Sequence, residues 1–250
     1  MKIAVCLKRV PDTTTKVRVG ADGKSIDPAG VEWVISPYDE IALEAGLQAR
    51  EAGKAEKVIA LCLGPKEAAK EVRTALAMGA DEGVLLLDGG GERDAASTAA
   101  ALAGELGALG AELVLFGWKA IDSDQAAVPH LVAAALDRPC VSFVTKMAFE
   151  GAGLVLHREV EGATEVVAAP LPCVVTAQKG LAEPRYASLK GIMAAKKKPF
   201  AEKPAPAAAA TVRTTRLEPP PARPPGRIVG QGTAAVPELV RLLRDEAKLL

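Results

Sequence analysis

VIALCLGPKEAAKEVRTALAMGADEGVLLL, residues 58–87, decides the fold. Its first apolar run predicts a buried strand over 58–63, and Gly64 and Pro65 break the pattern before helical spacing takes over at 66–78. Gly79 supplies a helix stop, and a second strand is expected over 83–87. The same alternation extends in both directions. Upstream lie a strand at 3–7 and a helix whose start is specified by Ser36 as N-cap, Pro37 at the first helical position and acids in the first turn, with Gly53 as stop. Downstream lie a helix at 94–106, a strand at 113–117 and a helix from Ile121, with Asp122 or Ser123 as cap. Strand and helix alternating this way imply an α/β fold with a doubly wound, mostly parallel sheet joined by right-handed crossovers.

After Asp137 the rhythm changes. Strand-like pieces at 140–147, 154–159, 165–169 and 171–176, separated by short glycine turns, predict an antiparallel extension of the sheet. The alternation at 17–19 suggests a small edge strand or hairpin. A loop and a short apolar helix over 186–195 follow, ending in Lys196, Lys197 and Lys198, where cations suit a helix C-terminus. Residues 199–226 are dominated by proline and alanine and are expected to form an extended arm, with a reach of roughly 80 Å at about 3.1 Å per residue. An amphipathic helix is expected at 236–250, with Leu239, Leu242, Leu243, Ala247 and Leu250 on one side. The expected organisation is therefore an α/β domain over 1–198, an arm over 199–226 and a terminal segment over 227–250 that packs on a partner.

Charge excludes some functions. The 31 basic residues equal the 31 acidic ones, so no net field steers the molecule to nucleic acid or an anionic membrane. No run approaches the ~20 apolar residues of a membrane span, and no secretory leader is read at the start. Cys6, Cys62, Cys140 and Cys173 have no metal-ligand spacing and read as free buried thiols, which fits a reducing, cytoplasmic compartment.

The turn after the first strand holds Pro11, Asp12 and three threonines, so neither GxGxxG nor a phosphate-binding Walker loop is present. GGG at 89–91 can be a phosphate cradle or a flexible turn. Helix starts at the carboxyl ends of parallel strands offer free N–H groups and the positive end of the dipole, so the runs near Ser36 and after Gly117 can hold a phosphate. They can equally be plain helix caps. Neither His130 nor His157 has a nucleophile at a telling spacing, and no catalytic dyad emerges.

LAEPRYASLKGIMAAKKKP, residues 181–199, closely resembles the signature segment of electron transfer flavoprotein beta subunits, which usually read LNEPRY followed by a Leu, IM and a lysine run. Ala182 stands where the family has Asn. GWKAIDSD resembles the family's GxxAIDxD motif, and SPYDEIALEA its NPxxExAxEx segment. The resemblance implies an electron carrier subunit rather than an enzyme. It further implies that this chain pairs with an alpha subunit, which holds most of the FAD, and that this chain itself binds AMP structurally, or a second FAD as in bifurcating relatives. Carried over by position, the nucleotide contacts are Cys6, Ser36, Pro37, Tyr38, Asp39, Leu63, Gly117, Trp118, Lys119, Ala120, Ile121, Asp122, Ser123, Asp124, Gln125, Ala126, Ala127 and Val128. Many relatives place Thr at the position of Gln125 and Gln at that of Ala127.

The resemblance further implies a loop that recognises flavoprotein dehydrogenases, made of Arg185, Tyr186, Ala187, Ser188, Leu189, Lys190, Gly191, Ile192, Met193 and Ala194, with Leu189 as its apolar anchor. Read from the residues alone, Leu189 packs beneath its own helix. Glu159 matches a glutamate near the flavin and alpha subunit, and Arg158 with Glu159 can also form a cross-strand ion pair. The implied function is to take electrons from dehydrogenases, such as those acting on acyl-CoA, and pass them to a membrane quinone oxidoreductase or another acceptor. The alternative is an ATP-using adenylating or pyrophosphatase-type enzyme. Such an enzyme needs a glycine- and serine-rich loop after the first strand, which KRVPDTTT does not provide.

Overall fold

The computed structural model describes residues 1–207, 210–223 and 225–250. Its α/β unit, Met1–Arg216, is built on a nine-stranded sheet. Strands β1 (Lys2–Leu7), β4 (Lys57–Gly64), β5 (Glu82–Leu87) and β6 (Leu113–Gly117) are parallel, as their unbroken apolar runs require of strands covered on both faces. Strands β2 (Arg9–Pro11) and β3 (Trp33–Ile35) form a separate two-stranded antiparallel ladder. At 17–19, where a small edge strand or hairpin is expected, Val19 makes one isolated antiparallel bridge to Ile26, and Asp27 N–H donates to the Arg18 carbonyl at 2.8 Å.

Alternate residues of β1 face opposite layers. Ile3, Val5 and Leu7 pack with α1 (Pro37–Glu51) and α2 (Ala69–Met78), while Ala4 and Cys6 pack with α3 (Ala95–Leu109) and α4 (Val128–Ala135). The sheet order is β5-β4-β1-β6 at its centre, so the chain winds one way from β1 and then crosses to its other side. The strand order reverses between β1 and β6, where α/β sheets open a crevice at the strands' carboxyl ends.

Three expectations need correction. Strand β10 (Cys173–Ala177) is not part of the antiparallel extension. It lies between β6 and β7 (Cys140–Glu150), parallel to both; it is buried throughout, as its continuous Val-rich run implies. The antiparallel part is β7, β8 (Gly153–Val160) and β9 (Ala163–Pro170). The arm opens with a strand, β11 (Phe200–Pro204), which extends the sheet beside β5 despite its proline. Pro204 is at the strand's end and β11 is the sheet edge, the two places where proline is tolerated. The parts of the arm at 208–209 and at Pro224 lie outside the described residues.

The third correction concerns the helix expected from Ile121. It begins only at Val128, because Asp124 and Ala126 have φ of 51° and cannot continue a right-handed helix, while Pro129 sits in the first turn of α4. Residues 118–127 are instead an irregular loop.

The short helix α5 (Leu189–Ala195) is capped by the Ser188 hydroxyl, which accepts from Gly191 N–H at 3.0 Å. It stands on α2. A Cβ at Gly191 would collide with the Ala77 carbonyl, and the Lys198 ammonium donates to the carbonyls of Leu76 at 2.9 Å and Ala80 at 2.7 Å, closing the C-terminal end of α2. Within the separate unit Leu217–Leu250, helix α6 (Val236–Asp245) stops five residues short of the expected end. It buries Leu242, and Leu239 remains exposed.

Gly83 is where α2, β5 and β11 meet: a Cβ there would lie 2.6 Å from Val72 Cγ1 and 3.2 Å from Phe200 Cδ2. Gly83→Ala is expected to lower unfolding free energy by about 1–3 kcal/mol through overpacking. In urea titration this reads as a lower midpoint at unchanged slope; an unchanged midpoint would show that Val72 and Phe200 do not crowd this position.

Candidate functional site

A cleft of ≈ 910 Å³ opens at the carboxyl ends of β1, β4 and β6, within the range of about 300–1,000 Å³ for small-molecule sites. Its floor is fixed by Asp39 in the first turn of α1. One carboxylate oxygen accepts from Lys8 N–H at 2.8 Å, just past β1, and the other from Gly117 N–H at 2.9 Å, at the end of β6. A single side chain thus spans the point where the strand order reverses. Gly117 must be glycine, because a Cβ would sit 2.6 Å from both Asp39 Oδ1 and Tyr38 Cβ.

Burial pushes the Asp39 carboxyl up to about 7, against the pull of the Lys8 and Gly117 N–H groups and the Lys8 ammonium, with the charge of Asp122 adding to the rise. Burial likewise raises the Cys6 thiol well above its usual range, so it is inert, and pushes Cys62 up to about 12.

Of the positions singled out in the sequence, Cys6, Asp39, Leu63, Gly117, Lys119, Ala120, Asp122, Ser123, Gln125, Ala126, Ala127 and Val128 line the cleft. Ser36, Pro37, Tyr38, Trp118, Ile121 and Asp124 are not among the lining residues. Tyr38 and Trp118 meet edge to face at 5.5 Å, and Trp118 packs on Phe143 at 4.9 Å.

Ser36 holds the N-cap position of α1, whereas Asp122 and Ser123 cap no helix, since α4 starts only at Val128. The Ser36 hydroxyl makes no cap hydrogen bond and, fully buried, has no partner among the described residues; nor has Trp118 Nε1. Asp122 instead pairs with Lys8 Nζ at 2.6 Å, and Ser123 donates to Asp122 at 3.3 Å. Lys119 pairs with Asp124 at 2.6 Å and lies over the Trp118 ring.

The glycine run at 89–91 is a turn, with Gly89 and Gly90 at positive φ and Gly90 N–H donating to Asp88 at 2.9 Å. At the α3 start the Ser97 amide is already taken by Asp94 in a capping box.

Other parts of the cleft escaped the sequence reading. Lys8 and Arg9 line it, Arg9 with its guanidinium 4.0 Å over the Trp33 ring and paired with buried Glu71 at 3.3 Å. His130 Nδ1–H donates to the Ala126 carbonyl at 2.9 Å, leaving Nε2 to accept from the Ser142 hydroxyl at 2.7 Å. It therefore ties the loop to β7, a role only the fold reveals. Residues Thr211, Val212, Arg213 and Thr214 of the arm also line the cleft.

The arrangement suits an anionic ligand. Cations Lys8, Arg9 and Lys119 stand at a strand-end crevice, and an unpartnered hydroxyl and an unpartnered indole N–H adjoin the Asp39–Gly117 wall. Among the described residues no cluster of His, Cys, Asp and Glu could hold a metal, and all four cysteines are free.

On α5, Leu189 is 84% exposed and Met193 63%, so Leu189 does not pack beneath its own helix. Ile192 and Tyr186 are exposed as well, and the spacing of Leu189, Ile192 and Met193 places them on one helix face. Arg185 is held within the molecule: its guanidinium donates to both oxygens of Glu44, at 2.7 and 2.8 Å, and to Glu51 at 2.6 Å, all on α1. Burial pushes the Glu44 carboxyl up, but the hydrogen bonds from Arg185 and Gln48 outweigh it and leave the group below its ordinary value. Glu159 is exposed on β8, while its neighbour Arg158 pairs across to Glu165 of β9 at 3.3 Å.

A doubly wound sheet with a cleft at the reversal of its strand order, and an exposed apolar helix apart from that cleft, places the protein in the α/β class. The family model described as the electron transfer flavoprotein domain matches residues 24–208. The chain is 40% identical over the whole of both chains to electron transfer flavoprotein subunit beta of Bradyrhizobium diazoefficiens, and 39% identical to that of Bacillus subtilis, again over the whole of both. It is also 38% identical to the caffeyl-CoA reductase–Etf complex subunit CarD of Acetobacterium woodii, covering 80% of this chain and 77% of that one. The chain belongs to the electron transfer flavoprotein family, among its beta subunits. Among the described residues no helix is long and apolar enough to cross a membrane.

The raised Asp39 carboxyl sets a pH dependence. Its folded pKa, about 7, lies above the unfolded 3.8, so the folded state holds the extra proton between these values and stability falls as pH rises from about 4 to about 7. Asp39→Asn is expected to flatten that part of the profile relative to the parent, measured by thermal unfolding at pH steps. Parallel curves for parent and variant would refute the shift.

Proposed function

We propose that the chain is the beta half of a heterodimeric electron transfer flavoprotein, working in a cytoplasmic compartment as a carrier rather than an enzyme. An alpha subunit binds most of the FAD. That flavin, when bound, supplies the redox chemistry by accepting electrons and giving them up. This chain contributes the docking surface for flavoprotein dehydrogenases, such as those acting on acyl-CoA, and the cleft holds AMP as a structural nucleotide. The electrons pass on to a membrane quinone oxidoreductase or another acceptor.

The exposed Leu189 carries this reading. An isolated protein has no reason to leave a leucine, an isoleucine and a methionine on one face of a helix whose base is so firmly set, with Gly191 against α2, Lys198 on its carbonyls and Arg185 bound to α1. Such a surface is organised before it binds, so docking costs little ordering entropy. Burying the leucine is worth about 1.5–3 kcal/mol, enough to select partners while allowing release. In the cleft, Lys8, Arg9 and Lys119 would face the phosphate, and the loop 118–127 would enclose the nucleoside. Glu159, exposed on β8, is free to face the alpha subunit and flavin.

Co-expression with an alpha-type subunit is expected to yield a yellow heterodimer, and a colourless monomer that ignores that subunit would overturn the assignment. Mass spectrometry of nucleotides extracted from the pair should find AMP beside one FAD; a second equivalent of FAD would reassign the cleft. Leu189→Ala should slow reduction by the partner dehydrogenase about tenfold or more at limiting concentration, with flavin and nucleotide content unchanged. Unaltered reduction would remove Leu189 as the anchor.

A further inference from the structure

Strand β11 runs parallel to β5, so the arm leaves the sheet at the same rim where β1, β4 and β6 end and the cleft opens. Ala205 N–H continues the ladder to the Leu87 carbonyl at 2.8 Å, and the Arg93 guanidinium donates to the Pro206 carbonyl at 2.7 Å. Further on, one oxygen of Asp94 accepts from Thr211 N–H and the Thr211 hydroxyl, both at 2.7 Å, and from Val212 N–H at 3.1 Å. Glu92 accepts from Thr214 N–H at 2.7 Å. Asp94 divides its carboxylate: the other oxygen caps α3 through Ser97 N–H at 2.8 Å.

We propose that residues 211–214 form a strap across the cleft that retains the nucleotide, with Asp94 and Glu92 as its latch. The proposal rests on the nucleotide reading of the cleft. Thr211, Val212, Arg213 and Thr214 line the same cavity as the loop 118–127, so the ligand lies between a wall built by the sheet and one supplied by the arm.

The strap is held by hydrogen bonds rather than by apolar anchoring. Val212 is 71% exposed, and the groups holding the segment are carboxylates on backbone N–H groups and one hydroxyl. A segment fixed this way opens without disturbing the core, because nothing buried must be exposed. The Ser97 amide first, then the Thr211 hydroxyl, hold the Asp94 carboxyl far below its usual range, which favours the ionised form of the latch. Nucleotide exchange is then limited by lifting the strap.

The test loads the co-expressed heterodimer with radiolabelled AMP and chases with unlabelled AMP. Thr211→Pro removes the N–H donor, Glu92→Ala releases Thr214, and Asp94→Asn loosens the latch while keeping a good cap for α3. Release from Thr211→Pro should be about tenfold faster than from the parent, the effect of losing a hydrogen bond to a charged acceptor, with smaller increases in the other two. AMP should also slow tryptic cleavage after Arg213 in the parent and not in Thr211→Pro. A parent that binds no AMP overturns the nucleotide reading and the strap with it. A parent that binds AMP, with release equal in all three variants, overturns the strap alone and leaves the cleft reading standing.

Discussion

The carboxylate of Asp39 is the interaction on which the working end of the molecule depends. Parallel strands pair along their length, but at their carboxyl ends β1 and β6 diverge into unrelated loops, and the N–H groups of Lys8 and Gly117 would be left open. One short side chain in the first turn of α1 takes both. It does so at a cost, since removing a carboxylate from water favours its neutral form, which is why burial dominates its raised pKa. The positive end of the α1 dipole and the Lys8 ammonium offset part of that cost. Gly117 completes the device by letting the helix start approach the strand end more closely than any side chain would allow.

The wall that follows β6 starts from that point. The loop after β6 has no regular structure to hold it. It is fastened instead by Trp118 N–H on the Ala177 carbonyl, by Asp122 on Lys8, by Lys119 with Asp124, and by His130 on the Ala126 carbonyl. Single surface ion pairs contribute little on their own. Spread along ten residues, they fix a loop whose residues at positive φ, Asp124 and Ala126, would otherwise favour other conformations.

The periodic parts of the fold were legible in the sequence because each element states its own period and its own punctuation. Gly64–Pro65 and Gly79 around α2, and Pro37 at the start of α1, marked boundaries that the structure keeps within a few residues. Parallel against antiparallel placement was not legible for β10, since a buried Val-rich run looks the same whichever neighbours it has. Strand β11 was hidden by composition, because prolines at a strand's edge and end are permitted while the same residues in bulk suggest an arm. In the cleft, motif likeness brought together the Asp39–Gly117 floor and most of the loop after β6. It could not reveal His130, Arg9 or Thr211, whose roles come from neighbours distant in the chain. Pro129 was the signal that would have placed the α4 start correctly.

Helix α1 also explains how two surfaces can be kept in fixed relation. Its first turn holds Asp39 at the cleft, and further along the same helix Glu44 and Glu51 grip Arg185, which sets the root of the exposed apolar helix α5. From Asp39 to Glu51 the axis advances about 18 Å at 1.5 Å per residue. A continuous, largely buried helix of this length has no hinge: among its residues there is no interior proline, and Gly46 is packed against Val5 and Leu115. The connection therefore conveys position rather than a switch, because a signal would require an element with two arrangements that both ends bias. Arg185 conserves no freedom to greet a partner; its charge is spent on α1, and that expenditure is what leaves Leu189 standing in one place.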